Sequence, residues 1–219
     1  MSNYWDAFLE PIGVSLKITL LSSGIVFILA MAIARWMSRA RFRGKLLLDV
    51  LFMLPLVLPP TVVGFILLLL FGKQGALGKL LDATFGVSIV FTWWGGVISA
   101  VVVAFPLVYQ TIKAGFDGIE RELEDVARSQ GANEWQVLRY ISLPLISRML
   151  MIAYMLGFAR ALGEFGATLM LAGNIPGRTQ TMATAIYIAA DSGRTTLALA
   201  WVAVMIGFSF MLMIVVRKR

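Results

Sequence analysis

The chain alternates between long apolar stretches and shorter segments that carry most of its charge. Five apolar stretches are long enough to cross about 30 Å of hydrocarbon as a helix, which takes about 20 residues. We place these predicted spans at residues 12–36, 50–71, 87–112, 149–173 and 195–216. The pattern therefore predicts an all-α integral membrane protein with five transmembrane helices.

Lys and Arg are distributed unevenly between the segments that join the spans. An odd number of spans puts the termini on opposite sides, and thirteen of the 19 basic residues then fall on one side. They lie in segments 35–49 and 113–148 and in the tail, Arg217, Lys218 and Arg219. Because the basic side faces the cytoplasm, the N-terminus is predicted outside and the C-terminus inside. The net charge of +7 thus reflects topology and does not indicate nucleic-acid binding.

Composition supports a single integral domain over residues 1–219 and narrows its chemistry. The chain is 59% hydrophobic and 14% charged, with a mean hydropathy of +0.86. It has no Cys and no His, so we expect neither thiol catalysis nor a metal or cofactor of the usual kinds. It also lacks the phosphate-binding G-x-x-x-x-G-K-[ST] pattern, so any ATP that drives it must be hydrolysed by another chain. The first span lacks a basic flank and a cleavage site, so we expect it to be retained.

The longest charged segment, between the third and fourth spans, is predicted to form two short helices around a glycine. Asp117 is a suitable N-cap for a first helix over residues 118–130, and Gly131 is placed to end it. A second helix is predicted over residues 134–142, limited by Pro144. Two short helices with a glycine hinge would make a compact knob on the membrane surface.

The apolar residues of this segment fall on one face of each predicted helix. They are Leu123, Val126 and Ala127 in the first helix and Trp135, Leu138 and Ile141 in the second. One interpretation is an amphipathic loop that lies on the bilayer with its charges in water. An anionic inner leaflet would, however, repel the six acidic residues of the segment, which favours a protein partner in the cytoplasm.

Two charged residues, Arg160 and Glu164, lie within the fourth predicted span. Each charge costs about 2.5–3.5 kcal/mol to insert at the centre of a membrane helix, so the pair must face protein or water. Their i,i+4 spacing allows a direct salt bridge. Two interpretations stay open: a structural pair that fixes helix packing, or a role in an anion pathway. The small residues Ala159, Gly163 and Ala167 would allow close contact with a neighbouring helix.

Consecutive prolines, Pro59 and Pro60, interrupt the second span near its middle. They break the hydrogen-bond ladder, which is tolerated at that depth only against protein or a water-filled cavity. A helix that restarts at Pro60 or Thr61 would present free N–H groups suited to an anion, and Gly64 lies one turn further on. A simple packing kink is the alternative.

Three sequence blocks together resemble the permease subunit of bacterial molybdate ABC importers. They are Leu-Pro-Leu-Val-Leu-Pro-Pro-Thr-Val-Val-Gly at 54–64, the charged segment 113–148, and Ala-Arg-Ala-Leu-Gly-Glu-Phe-Gly-Ala at 159–167. The charged segment has the spacing of the loop by which such permeases bind their ATPase: Glu-Ala-Ala, three residues, Gly, nine residues, Ile-x-Leu-Pro. Here Asp125 and Val126 replace the first two residues of that pattern. The resemblance assigns ATPase coupling to Glu124, Asp125, Val126, Ala127, Gly131, Ala132, Trp135, Ile141, Leu143 and Pro144.

The resemblance implies a type I ABC-importer permease fold and a pore-forming subunit that is not itself an enzyme. It also implies a homodimer of this permease, two cytoplasmic ATPase subunits and an extracytoplasmic molybdate-binding protein, working by alternating access in the bacterial cell membrane. The expected pathway residues are Pro59, Pro60, Thr61, Gly64, Arg160 and Glu164.

Other functions stay open at this point. Tungstate and sulfate or thiosulfate permeases share parts of the pattern. An ATP-independent channel or a secondary transporter would not need the acidic loop. An intramembrane enzyme would need paired catalytic groups, whereas the carboxylates Asp49 and Glu164 lie on different predicted helices.

Overall fold

The computed structural model describes residues 2–217, and the side chains of residues 5–214. The predicted all-α class is confirmed, since residues 2–217 contain helices and loops but no strand. The helices are α1 (Ser2–Arg39), α2 (Lys45–Val57), α3 (Pro60–Phe71), α4 (Ala76–Phe85), α5 (Trp93–Asp117), α6 (Arg121–Ser129), α7 (Glu134–Leu145), α8 (Ser147–Leu162), α9 (Gly166–Ala172), α10 (Met182–Asp191) and α11 (Thr195–Arg217). The tail residues Lys218 and Arg219, used in the charge argument, lie outside the described residues.

Three helices, α1, α5 and α11, are long and apolar enough to cross a membrane alone. They correspond to the predicted spans 12–36, 87–112 and 195–216. Helix α5 begins only at Trp93, because the preceding residues form a loop in which the Phe91 N–H donates to the Leu171 carbonyl at 3.0 Å. Two further pairs, α2–α3 and α7–α8, are apolar enough only when each bent pair is taken together. By length and composition, five spans are reached only if each bent pair is counted as one span, so the predicted number of five stays a prediction.

The second predicted span, 50–71, is not one continuous helix. Helices α2 and α3 meet at an angle of 112°. The backbones of Leu58 and Pro59 are extended, with ψ of 142° and 136°. Pro60 occupies the first position of α3, where its missing N–H costs no hydrogen bond. The predicted restart at Pro60 is confirmed.

The fourth predicted span, 149–173, is also interrupted. Helix α8 ends at Leu162 and α9 begins at Gly166. Arg160 therefore lies in the last turn of α8 while Glu164 lies beyond its end, so the expectation that one helix carries both is wrong. The physical reason is that Glu164 uses its side chain to accept the N–H of Ala167, which starts a separate helix instead of continuing the first.

The centre of the molecule is formed by α1, α5 and α8. Gly157 of α8 lies so close to α5 that a Cβ atom there would be 2.6 Å from Cγ2 of Val108. Such close approach is what small residues permit between membrane helices. Helix α11 also contacts α1: the Trp201 indole donates to the Phe8 carbonyl at 2.9 Å and stacks on the Phe8 ring. The buried core residues at this centre are Val26, Ala30, Ala34, Met37, Ala104, Val108, Tyr109, Ile112, Phe116 and Ala153.

The charged segment folds into two helices, as predicted, but the first begins later than expected. Helix α5 continues to Asp117, whose carboxylate lies 3.1 Å from the Lys113 ammonium, so Asp117 does not cap the next helix. Helix α6 starts at Arg121 instead of Gly118. The predicted stop at Gly131 is confirmed by its φ of 90°, a conformation that favours glycine.

The second helix of the segment, α7, runs further than predicted. It begins after Asn133 with a capping box, in which Oδ1 of Asn133 accepts the Gln136 N–H and Oε1 of Gln136 accepts the Asn133 N–H. It then widens to a π-helical turn over Leu138–Ser142 and continues through Pro144 to Leu145. Pro144 was expected to limit the helix, but it opens a new α-helical turn, where its missing N–H is tolerated.

Candidate functional site

Helix α6 exposes its apolar side chains and buries a charged one. Leu123 and Val126 are 46% and 56% exposed, and Trp135 of α7 is 63% exposed. Glu124, between the two apolar residues of α6, is 1% exposed. This arrangement is the reverse of an ordinary surface helix, which hides its apolar stripe. We call Leu123, Val126 and Trp135 the outward apolar residues of the loop; they are free to contact a partner.

The buried carboxylate of Glu124 is surrounded by hydrogen-bond donors. Its Oε1 accepts from Nη1 of Arg35 at 2.9 Å and from Oγ of Ser142 at 2.8 Å. Arg39 forms an ion pair with the same oxygen, and Nη2 of Arg128 lies 3.3 Å from Oε2. We call these five residues the Glu124 cluster. A buried charge needs such pairing to be tolerated, and here the partners come from α1, α6 and α7.

Arg128 also clamps the hinge between α6 and α7. Its Nε lies 2.6 Å from Oε1 of Glu134 and its Nη1 lies 2.6 Å from Oδ1 of Asp125. One guanidinium thus joins a carboxylate on α7 to two on α6, across the turn at Gly131. The relative position of the two helices is fixed by these polar contacts.

The pKa values of three charged groups of the loop, Glu124, Arg128 and Glu134, are shifted in the direction that favours their ionised forms. Burial would raise the pKa of Glu124, but hydrogen bonds from Ser142 and Arg35 and the charge of Arg35 bring this pKa below its ordinary value. The hydrogen bond from Arg128 lowers the pKa of Glu134, and the same bond raises the pKa of Arg128. For carboxyls with lowered pKa values, the ion pairs stabilise the fold above the ordinary carboxyl pKa and are lost as pH falls through the lowered values.

The apolar face predicted for the second helix of the loop is not formed, because its three residues differ in burial. Leu138 packs against the core, whereas Trp135 is exposed and Ile141 is half-buried. The π-helical turn explains the difference, because it changes the residue spacing on which the predicted face depended. The remaining residues assigned to coupling lie in α6, at the hinge and at the end of α7. Ala127, Ala132 and Leu143 are half-buried, and Gly131 and Pro144 are exposed.

The two interrupted spans meet at their breaks. A Cβ atom on Gly166, at the start of α9, would lie 3.0 Å from Cβ of Pro60 and 3.3 Å from the backbone nitrogen of Thr61. A Cβ atom on Gly64 would lie 2.7 Å from Cα of Ala167. The close approach of α3 and α9 therefore leaves no room for a Cβ atom at Gly64 and little room for one at Gly166. Pro59, Pro60 and Thr61 are exposed at this junction.

The predicted salt bridge between Arg160 and Glu164 is present, with Nη1 and Oε2 at 2.7 Å. Glu164 is 3% exposed. Its other oxygen, Oε1, accepts the N–H of Ala167 at 2.9 Å. Glu164 thus joins the end of α8 to the start of α9, a second role that the i,i+4 spacing did not indicate.

A polar cluster between α2 and α5 was not predicted. Asp49 accepts a hydrogen bond from the Tyr109 hydroxyl, and its other oxygen lies 3.7 Å from the Lys113 ammonium. These residues line a cavity of about 610 Å³. The only sequence signal was an isolated charge, Asp49, at the edge of a predicted span. Its partners are a tyrosine and a lysine rather than a second carboxylate.

Comparison with known proteins places the chain among transport proteins. Residues 24–218 match the family described as the inner membrane component of binding-protein-dependent transport systems. YvgM of Bacillus subtilis, whose name assigns it provisionally to molybdenum transport, is 48% identical over 212 residues, or 97% of this chain and 93% of YvgM. ModB of Escherichia coli K12, a molybdenum transport permease, is 42% identical over 84% of this chain and 78% of ModB. CysT of the same strain, a sulfate transport permease, is 35% identical over 85% of this chain and 69% of CysT.

Solved structures share the fold at low sequence identity. A chain of a bacterial ABC transporter that imports alginate matches with a TM-score of 0.76 and 16% identity, over 97% of this chain and 79% of that one. A chain of an amino acid ABC transporter matches with a TM-score of 0.64 and 20% identity, over 100% and 97%. The family match, the relatives and the shared helical fold agree. The chain is a multi-pass membrane permease that belongs to the family of inner-membrane components of binding-protein-dependent transport systems.

Proposed function

We propose that this protein is the permease subunit of an ATP-driven importer of molybdate. Coupling to a separate ATPase is supported by the reversed helix α6, which buries Glu124 and exposes Leu123 and Val126. A surface of this kind favours a protein partner. The substrate is supported by the relatives, since those at 42% and 48% identity are named for molybdenum and the sulfate relative is more distant, at 35%.

The proposed assembly contains two copies of this chain and two cytoplasmic ATPase subunits that dock on the outward apolar residues. An extracytoplasmic binding protein delivers the anion, and the solved alginate transporter in complex with its periplasmic protein offers a parallel for this step. The charge distribution supports five spans with the N-terminus outside. In that orientation, Lys17 and Arg178 lie on the outer side and line one cavity there of about 640 Å³.

The proposed mechanism is alternating access. ATP binding brings the two docked ATPases together and moves the coupling loop of each permease copy, which is the charged segment 113–148. This movement opens the pore outward, and hydrolysis reverses it. We place the junction of the two broken spans, residues Pro59, Pro60, Thr61 and Gly64, beside the pathway, because irregular backbone inside a membrane needs protein or water around it. Arg160 and Glu164 lie next to this junction, and the hydrogen bonds of Glu164 connect the end of α8 to the start of α9.

Anion uptake by whole cells tests the substrate. Cells that lack their own molybdate importer would carry this permease with its ATPase and binding protein, and labelled molybdate uptake would be measured with excess tungstate or sulfate. We expect saturable uptake that requires the ATPase and that sulfate does not inhibit. Inhibition by sulfate would assign the protein to sulfate transport instead. Uptake without the ATPase would indicate a channel or a secondary transporter.

A further inference from the structure

Helix α6 is attached to the rest of the molecule mainly by charge. Of its nine residues, all of which the structure describes, Glu124 is the one that is buried. Its apolar residues Leu123 and Val126 point outward and make no core. Because α6 is connected to the membrane domain by ion pairs, a displacement of α6 acts on the helices that carry the partners of Glu124.

Those partners include the last two turns of α1. Arg35 and Arg39 are one helical turn apart and both contact Oε1 of Glu124. The Arg35 guanidinium also lies 5.5 Å from the ring of Phe116, a core residue of α5. The arginines are 17% and 25% exposed at their side chains, so these contacts are largely shielded from water. The loop is therefore tied to α1 by partly buried charge pairs, which water screens less than surface pairs.

Helix α1 extends from this cluster to the opposite end of the molecule. Ser15 lies 24 residues before Arg39, which corresponds to about 36 Å of helix. There its hydroxyl accepts the N–H of Met182, the first residue of α10, at 2.7 Å. About two turns further toward the N-terminus, the Phe8 carbonyl accepts a hydrogen bond from the Trp201 indole of α11. A displacement at Arg35 and Arg39 is thus connected through one helix to α10 and α11.

We propose that Glu124 is a positioning residue that transmits movement of the coupling loop to α1, and through α1 to the outer ends of α10 and α11. This inference rests on the proposed function, because it needs an ATPase that moves the loop. It separates two tasks within one short helix. The outward apolar residues bind the ATPase, and the buried carboxylate passes the movement on.

The test compares Glu124→Gln with Glu122→Gln in purified transporter that contains the permease, its ATPase and its binding protein in proteoliposomes. Both variants remove one carboxylate from α6, but Glu122 is exposed and outside the Glu124 cluster. Three quantities would be measured: co-purification of the ATPase, the ATP hydrolysis rate, and molybdate transported per ATP hydrolysed. For Glu124→Gln we expect normal co-purification, continued hydrolysis and a loss of at least about tenfold in molybdate transported per ATP. Glu122→Gln should match the unmodified protein. An unchanged ratio in Glu124→Gln would overturn the proposal.

Arg39→Gln keeps the test decisive if Glu124→Gln does not assemble. Arg39 lies on α1, outside the docking loop, and its loss removes one of the two links to that helix. We expect Arg39→Gln to assemble and to lower the same ratio. Normal coupling in Arg39→Gln, or failure of both variants to assemble, would limit Glu124 to folding of the loop and reject the proposal. Failure of the proposed function itself would show separately, as absence of ATP-driven molybdate uptake by the unmodified protein.

Discussion

Individual side chains at the broken spans serve two purposes at once. Glu164 neutralises Arg160 with one carboxylate oxygen and caps α9 with the other. Loss of the ion pair with Arg160 and loss of the cap on α9 therefore have different consequences. The arginine supplies charge compensation, whereas the Ala167 N–H requires only an acceptor, which an amide oxygen also provides.

The first prediction separates these functions. Arg160→Met leaves the buried Glu164 without its cation and should destabilise the permease by about 2–3 kcal/mol, less than the roughly 3–5 kcal/mol of a fully buried pair because Arg160 is partly exposed. Arg160→Met combined with Glu164→Gln removes the charge but keeps an acceptor for α9, and should restore most of the stability. Thermal unfolding in detergent measures both.

The same double variant tests the pathway role of Arg160. If the pair is only structural, molybdate uptake should recover together with stability. We expect uptake to recover only in part, because a positive charge beside the pathway attracts a dianion. Complete recovery of uptake would show that Arg160 has no part in the pathway.

A second residue-scale prediction concerns the hinge at Gly131. Its φ of 90° is strained for any residue with a Cβ, at a cost of about 1–2 kcal/mol, and more for a β-branched one. Gly131→Val should therefore shift α6 against α7 and reduce both ATPase binding and uptake. Gly118→Val is the matched control, since Gly118 has a φ of −79° and space for an added carbon. Equal ATPase pull-down by the two variants would contradict the hinge role.

Among the elements, the reversed helix α6 is the one whose exposed side chains most favour a protein partner. Exposed apolar side chains on a helix that is fixed by ion pairs give a partner a rigid surface to bind. The contacts that hold helix α6 in the Glu124 cluster all come from this chain itself.

The element-scale prediction follows from that surface. Burying one valine side chain is worth at least about 1.5 kcal/mol, so Val126→Lys should weaken ATPase binding about tenfold or more. Ser129→Lys on the same helix is the control, because Ser129 is exposed and a basic residue suits a helix C-terminus. ATPase titration against the detergent-solubilised permease measures both affinities. Similar weakening by the two lysines would place docking elsewhere.

Sequence patterns predicted the elements better than their arrangement. Apolar length predicted the three long helices α1, α5 and α11, and Pro59 and Pro60 predicted the break between α2 and α3, because both signals are local. Apolar length did not predict that α8 and α9 are separate helices within residues 149–173. The burial of Glu124 was not predictable from its neighbours, since its partner Arg35 lies 89 positions away. The bend of 112° depends likewise on the packing of Gly166 against Pro60, which no local pattern encodes.

At the scale of the whole molecule, orientation links the loop to its partner. The coupling loop can meet a cytoplasmic ATPase only if the basic segments face the cytoplasm. The chain contains no Cys, so single cysteines report on sidedness without background. The chosen positions must be exposed in the fold so that the thiol reagent can reach them.

The topology prediction uses four exposed positions. Cysteines at Arg178 and Ser192 should react with a membrane-impermeant thiol reagent in intact cells, whereas cysteines at Arg43 and Ser129 should react only after lysis. This pattern follows from the N-terminus outside and five crossings. The opposite pattern would place the loop outside, away from any ATPase.

Reconstituted transport is the most direct measurement of the central claim that this membrane domain uses ATP hydrolysed by a docked partner to import molybdate. The permease would be placed in proteoliposomes with its ATPase, ATP inside and molybdate-loaded binding protein outside. We predict molybdate accumulation inside the vesicles that requires ATP, the binding protein and an intact coupling loop, and that Val126→Lys abolishes. Accumulation that continues without ATP, or that Val126→Lys does not change, would show that import does not depend on an ATPase docked on α6.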